Sequence, residues 1–150
     1  MDTSGPHIAT AVFCERVLHE QDGVLSLIRI VDRLNVRAEG PEPPKDMPPT
    51  MVQITAAITL KSGSARGRHK VTIRPEDPSG RQLDAHELNA LCEGEERGPN
   101  FALNLNFVAE REGLYWFDVF FDDTPMVAVT LSSRNSPRYS AATWLSFAIE

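Results

Sequence analysis

The chain is predicted to fold as an all-β domain, a two-sheet antiparallel β-sandwich of about seven to eight strands. Three observations predict it. Apolar and polar residues alternate with period two in several separate runs. Turn residues recur roughly every ten residues along most of the chain. Hardly any stretch keeps helical spacing long enough to make a helix of ordinary length.

The N-terminal third reads as two strands, Ile8–Val17 and Val24–Val36, with Gln21-Asp22-Gly23 as the turn. Val24, Leu27, Ile28, Val31 and Leu34 also fit helical spacing. The β-branched residues Val24, Ile28, Ile30, Val31 and Val36 favour a strand. Arg37–Thr50 carries Pro41, Pro43, Pro44, Pro48 and Pro49, which predicts an extended crossover. Greek-key sandwiches require such a crossover between sheets.

Met51–Lys61 alternates most clearly. Val52, Ile54, Ala56, Ile58 and Leu60 point one way; Gln53, Thr55, Thr59 and Lys61 point the other. Arg68–Arg74 sets His69, Val71 and Ile73 against Arg68, Lys70, Thr72 and Arg74. The connection Asp84–Asn100 is polar. Asp84 and Glu87 have capping-box spacing there, so Leu88, Leu91 and Cys92 are expected on one side of a short helix. Phe101–Ala109 alternates Phe101, Leu103, Leu105 and Phe107 with Asn104 and Asn106. Leu114–Phe121 and Pro125–Leu131 flank Asp122-Asp123, a hairpin signal weaker than Asp-Gly; the loop either ends there or takes in Thr124. Pro125 has no N–H to donate and belongs at an edge or a strand start. Residues 132–150 read as a C-terminal tail or last strand. They end with Leu145, Phe147 and Ile149 alternating against Trp144, Ser146 and Ala148.

A chain of 150 residues is expected to be one domain, 1–150. It buries roughly 68–70% of its unfolded surface, so neither metal nor disulfide is needed to hold it. With 41% hydrophobic and 24% charged residues, the composition is that of an ordinary globular protein, and disorder of the whole chain is not expected. A net charge of -6 argues against attraction of the whole body to nucleic acid or anionic lipid. No secretory leader and no membrane span is read from the sequence. The expected setting is cytoplasmic, with Cys14 and Cys92 as reduced, buried thiols.

Gly113-Leu114-Tyr115-Trp116-Phe117 resembles the Gly-x-Tyr corner of immunoglobulin-like sandwiches. In that corner a Tyr two residues before a core position ties its hydroxyl to nearby backbone. Phe117 stands here where a disulfide cysteine stands in antibody domains. A longer resemblance rests on Phe13-Cys14-Glu15, Asp22-Gly23-Val24-Leu25-Ser26, Ile28-Arg29-Ile30-Val31-Asp32 and the hairpin after Gly113. Together these are similar to a family of small uncharacterised bacterial β-sandwich proteins over most of residues 8–131. The resemblance implies an immunoglobulin-like or related Greek-key sandwich in a bacterial cytoplasm. It implies no activity, and the tail after Leu131 matches nothing in it.

The search for chemistry comes out negative. His7, His19, His69 and His86 lack ligand spacing, Cys14 and His19 lack a third partner, and there is no Cys-x-x-Cys. Asp77, Asp122-Asp123 and Glu93-Glu95-Glu96 do not form a calcium-loop pattern and read as turn and loop residues. In Gly63-Ser64-Ala65-Arg66-Gly67 the serine is misplaced for a nucleophile elbow. No glycine-rich phosphate or dinucleotide motif occurs. No catalytic residue, metal or cofactor is predicted.

Two surface features stand out. Arg66, Arg68, Lys70 and Arg74 form a basic stretch without an acid, followed by a strongly acidic stretch from Glu76 to Asp123. The basic stretch reads either as an anion or nucleic-acid patch or as a solvated strand face protected against edge pairing. The aromatic interleaving of single-strand binders is missing, which disfavours nucleic acid. The second feature is Leu114, Trp116 and Phe120, a second apolar face on a strand whose other face is also apolar. Either the tail covers it through Trp144, Leu145 and Phe147, or it meets a partner. The preferred expectation is a non-enzymatic module that binds another protein or its own copies. The alternatives are an anion or nucleic-acid binder and an enzyme of unrecognised type built on loops such as 84–100.

Overall fold

Eleven strands and no helix run through the residues described by the computed structural model, which are 4–40, 42, 44–135, 138–139 and 144–149. They are β1 (His7–His19), β2 (Leu25–Val31), β3 (Arg33–Gly40), β4 (Thr50–Lys61), β5 (Gly67–Glu76) and β6 (His86–Cys92). Then come β7 (Asn100–Ala109), β8 (Gly113–Phe121), β9 (Thr124–Asn135), β10 (Arg138–Tyr139) and β11 (Trp144–Ile149). Sheet A is antiparallel throughout, in the order β2-β1-β4-β7. In sheet B, β3-β9-β8-β5-β6 are neighbours in that order. β10 continues β9 along β3, and β11 takes the opposite edge of β3, since both pair with Glu39.

The alternation read in β4 becomes the core. Val52, Ile54, Ala56, Ile58 and Leu60 are buried and face the other sheet. From sheet B they meet Val71 and Ile73 of β5, Tyr115, Phe117 and Val119 of β8, and Leu131 of β9. Phe117 is the hinge of this packing. Its ring lies 4.7 Å from Phe13 of β1 and 5.8 Å from Phe107 of β7. The tyrosine corner forms as the resemblance implied: buried Tyr115 donates its hydroxyl to the Arg111 carbonyl at 2.9 Å.

Three expectations need correction. Val24–Val36 is not one strand: the chain leaves sheet A and enters sheet B at Asp32, whose carbonyl accepts from Ser132 N–H. The signal was in the parity. Val31, Leu34 and Val36 are all buried, and a single strand alternating with period two cannot bury both odd and even positions on one face. The short helix expected within 84–100 is strand β6. Ala90 and Cys92 are buried, Glu87, Asn89 and Leu91 are exposed, and β5 is their ladder partner. The helical spacing of Leu88, Leu91 and Cys92 was fortuitous. The pairing of β3 with β9 is parallel, within an otherwise mostly antiparallel sandwich. The fold class itself is as expected, two packed sheets with no helix among the described residues, and 144–149 is a last strand, one of the two expectations for the tail.

The Pro-rich crossover does join sheet B to sheet A, from β3 to β4; Pro41 and Pro43 lie outside the described residues. The hairpin turn is two residues long, since Phe121 pairs with Thr124. Asp122 and Asp123 have φ of 46° and 69°, as a type I′ turn demands. Pro125 sits near the start of β9, on the part that β3 does not reach.

Candidate functional site

The pairing of β5 with β8 sets Thr72 opposite Phe120, Arg74 opposite Asp118 and Glu76 opposite Trp116. Strand alternation puts all of these on the outer face of sheet B. The two surface features read separately in the sequence thus share one surface. Leu114 is 40% and Trp116 42% exposed on it. Phe120 is half-buried, and the Arg74 guanidinium stacks over its ring, 4.2 Å from the centroid. This cation–π contact holds Arg74 flat against the sheet over Phe120, toward the β8–β9 turn. The tail's last strand pairs with β3, with β9 between β3 and β8, so its backbone does not overlie Trp116. The side chains of Trp144, Leu145 and Phe147 lie outside the described residues.

The basic residues are not equivalent. Lys70 pairs with Glu87 at 3.3 Å, and Arg74 lies 3.9 Å from Asp123. Arg66 leaves the strand altogether. It donates to the Glu93 carbonyl at 3.0 Å and lies across Gly94, where a Cβ would fall 0.8 Å from its Nη1. Arg68 is exposed at the start of β5. The acids that neutralise this strand come from β6 and the β8–β9 turn, so the run without acids is local to the sequence and not to the surface.

Sequence reasoning missed the tie between β5 and the β8–β9 turn. His69 donates from Nδ1 to Asp122 Oδ2 at 2.5 Å and from Nε2 to the Arg66 carbonyl at 2.9 Å. Both partners are acceptors, so both bonds form only when the imidazole carries two protons. Asp122 also accepts the Lys70 N–H at 2.9 Å, and the His69 ring stacks on Phe121. The hydrogen bond to Asp122 holds the His69 pKa above its ordinary value, helped by the Arg66 carbonyl. The His69 bond and the Lys70 N–H hold that of Asp122 below its own. The raised histidine contributes stability that is fully present below about pH 6.5 and is lost as pH rises through its folded value. The depressed aspartate contributes above about pH 3.8 and is lost on acidification. The melting temperature of the wild type is therefore expected to fall more than that of His69→Gln as pH rises above about 6.5. Parallel melting curves would show that the pair does not titrate with folding.

A cleft of about 490 Å³ lies between β7 and the segment 81–86, lined by Asp84, His86, Arg81, Glu110, Leu83 and Phe107 among others. It is the part of the loop region where an acid and a histidine approach one opening. Arg81 there is engaged with Glu110 at 3.2 Å. Among the described residues no three His, Cys, Asp or Glu side chains group as a metal site.

A model of a family of unknown function, DUF6941, matches residues 9–133. No curated protein matches the chain. Among solved structures, the chain is similar to an immunoglobulin-like protein from Pseudomonas aeruginosa at 14% identity and a TM-score of 0.44, covering 89% of this chain and 100% of that one. It is also similar to a CARDB domain from Pyrococcus furiosus in complex with di-metal ions, at 9% identity and a TM-score of 0.37, covering 89% of this chain and 97% of that one.

Proposed function

The chain belongs to the DUF6941 family of unknown function, and because membership brings no activity with it, we propose from the geometry that it is a non-enzymatic protein-binding module. Its contact surface is the outer face of sheet B, centred on Leu114 and Trp116. The exposure of Trp116 carries this reading. A tryptophan left this exposed on a central strand of its sheet is the residue type most enriched at interface hot spots. Phe120 supports the surface from beneath Arg74 and is not itself an open apolar contact.

An anion-binding role through Arg66, Arg68, Lys70 and Arg74 has weaker support. Lys70 and Arg74 face carboxylates, and Arg66 is turned to the 93–94 loop.

The test compares immobilised wild type with Trp116→Asp in extract of the host cells, with retained proteins identified by mass and then titrated as purified partners. The substitution is at an exposed site and is expected to change stability by less than about 1 kcal/mol. At least one saturable partner of the wild type should be lost by Trp116→Asp and weakened by Leu114→Asp. Identical retention by all three proteins would remove the proposal's support.

A further inference from the structure

We propose that two copies of this chain pair through the free edge of β7, antiparallel about Asn104, joining their four-stranded sheets into one continuous sheet. The inference concerns sheet A and does not depend on the Trp116 face.

β7 is the end strand of sheet A. It pairs with β4 over its whole length without a register shift. Among the described residues no backbone hydrogen bond reaches it from elsewhere. On its open side, alternate residues therefore present N–H and C=O groups to solvent. Proteins normally protect such an edge with charge, proline, a bulge or shortness. The edges at β2 and β6 show these devices. β2 spans only Leu25–Val31 and carries Arg29 at φ 53°, which breaks the edge geometry. β6 is equally short, spanning His86–Cys92, and carries His86 and Glu87. β7 has ten residues, no charge, no proline and no positive φ.

Over 101–107 the sequence of β7 matches itself in reverse except that Ala102 falls opposite Asn106. Phe101-Ala102-Leu103-Asn104-Leu105-Asn106-Phe107 places Leu on both sides of Asn104 and Phe at both ends. A two-fold axis at Asn104 sets Asn104 opposite its own copy, Leu103 opposite the second copy's Leu105, and Phe101 opposite its Phe107. The leucines and phenylalanines stay on the core side, and the asparagines and Ala102 on the outer side. Antiparallel cross-strand pairs of this kind stabilise a sheet. Such a partner also covers apolar surface left open: Phe101, Leu103 and Phe107 point to the core side yet are only half-buried. Along Leu105–Val108 the strand borders a cleft of about 490 Å³, with residues 81–86 on its other side. The occupant is a second copy because the edge is self-complementary; a foreign strand has no such match on the page.

The test is light scattering behind size exclusion over a dilution series, with hydrogen exchange at the two ends of the series. The wild type is expected to be a dimer that dissociates on dilution, with exchange slowing at high concentration in 100–109. Asn104 is exposed and points away from the core. Asn104→Lys and Asn104→Glu should each be folded monomers at the concentration where wild type is dimeric, because like charges then meet on the axis. Mixed one to one, they should form a heterodimer. A wild type that is monomeric throughout overturns the proposal. So does a dimer that both substitutions leave intact, or one that protects 113–121 in place of 100–109. Should either variant not fold, the exchange pattern of the wild type still decides. Trp116→Asp should leave this dimer unchanged, which separates it from the outer face of sheet B.

Discussion

Phe117→Ala is expected to destabilise the domain by about 3–5 kcal/mol, the range for truncating a fully buried aromatic. Phe117 is 1% exposed and packs its ring against Phe13 of β1 and Phe107 of β7. It thus touches two strands of sheet A. Removing it takes away transfer free energy and leaves a cavity that neither sheet can close alone, since each is held by its own ladder. Against a total stability of about 5–15 kcal/mol the loss is large, and at this chain length it lowers Tm by roughly 10 °C. The neighbouring substitution Trp116→Ala is the control. It sits one residue away on the opposite face of β8 and should cost less than about 1 kcal/mol. Urea denaturation of the two variants beside wild type measures both numbers. Equal losses would mean that the two faces of β8 are equally covered, and the outer face of sheet B would no longer be an open surface.

That contrast was partly legible in the sequence. Alternation in Leu114–Phe121 assigned Tyr115, Phe117, Val119 and Phe121 to one face, and all four are buried. It assigned Leu114, Trp116 and Phe120 to the other. What alternation lacks is the identity of the neighbouring strand. Arg74 and Phe120 are 46 positions apart, and only the β5–β8 ladder puts the guanidinium over the ring. The same limit explains the basic stretch. Read along the chain, Arg66–Arg74 has no acid. Read across the sheet, Glu87 and Asp123 stand next to it. Charge patterns within a strand are local, while electrostatics within a sheet are set by cross-strand partners that periodicity does not name.

The elements themselves were legible wherever burial was one-sided. β4, β5, β7, β8 and β9 follow their predicted runs because each has one face on the core. The errors fell where a second constraint cut across the period. At Asp32 the chain changes sheet, which shifts the parity of the buried set. In 86–92 a three- and four-residue spacing coincided with a strand that β5 needed as a partner. The self-matching pattern of β7 was visible as alternation, but its meaning depends on β7 being an edge, and edge position is a property of the assembled sheet.

Asp77→Ala is expected to be the costliest polar substitution, at about 3 kcal/mol, because it strips a buried acceptor from several donors at once. The Asp77 side chain is 2% exposed. Its Oδ1 accepts the N–H of Ser79 at 2.8 Å, the Ser79 hydroxyl at 2.5 Å and the N–H of Arg81 at 3.0 Å. Its Oδ2 lies 3.3 Å from Arg81 and 4.0 Å from Arg111. One carboxylate thus folds the turn 77–81 and fastens it to Arg111, whose carbonyl holds the tyrosine corner. The Ser79 hydroxyl, with the two N–H groups and the Arg81 charge, keeps the carboxyl ionised below its ordinary range, against the opposing effect of burial. A depressed pKa contributes stability above the unfolded value near 3.8 and loses it as pH falls through the folded value. The gap between wild type and Asp77→Ala should therefore be constant from pH 5 upward and narrow on acidification below pH 4. Asp77→Asn keeps an oxygen for the Ser79 and Arg81 N–H groups and gives up the attraction to the two arginines, so it should fall between the two proteins at neutral pH. Denaturant titrations of the three proteins from pH 2.5 to 7 read this directly. A gap that stays constant into acid would show that the turn holds its shape without the charge, and that Asp77 acts only as a neutral hydrogen-bond acceptor.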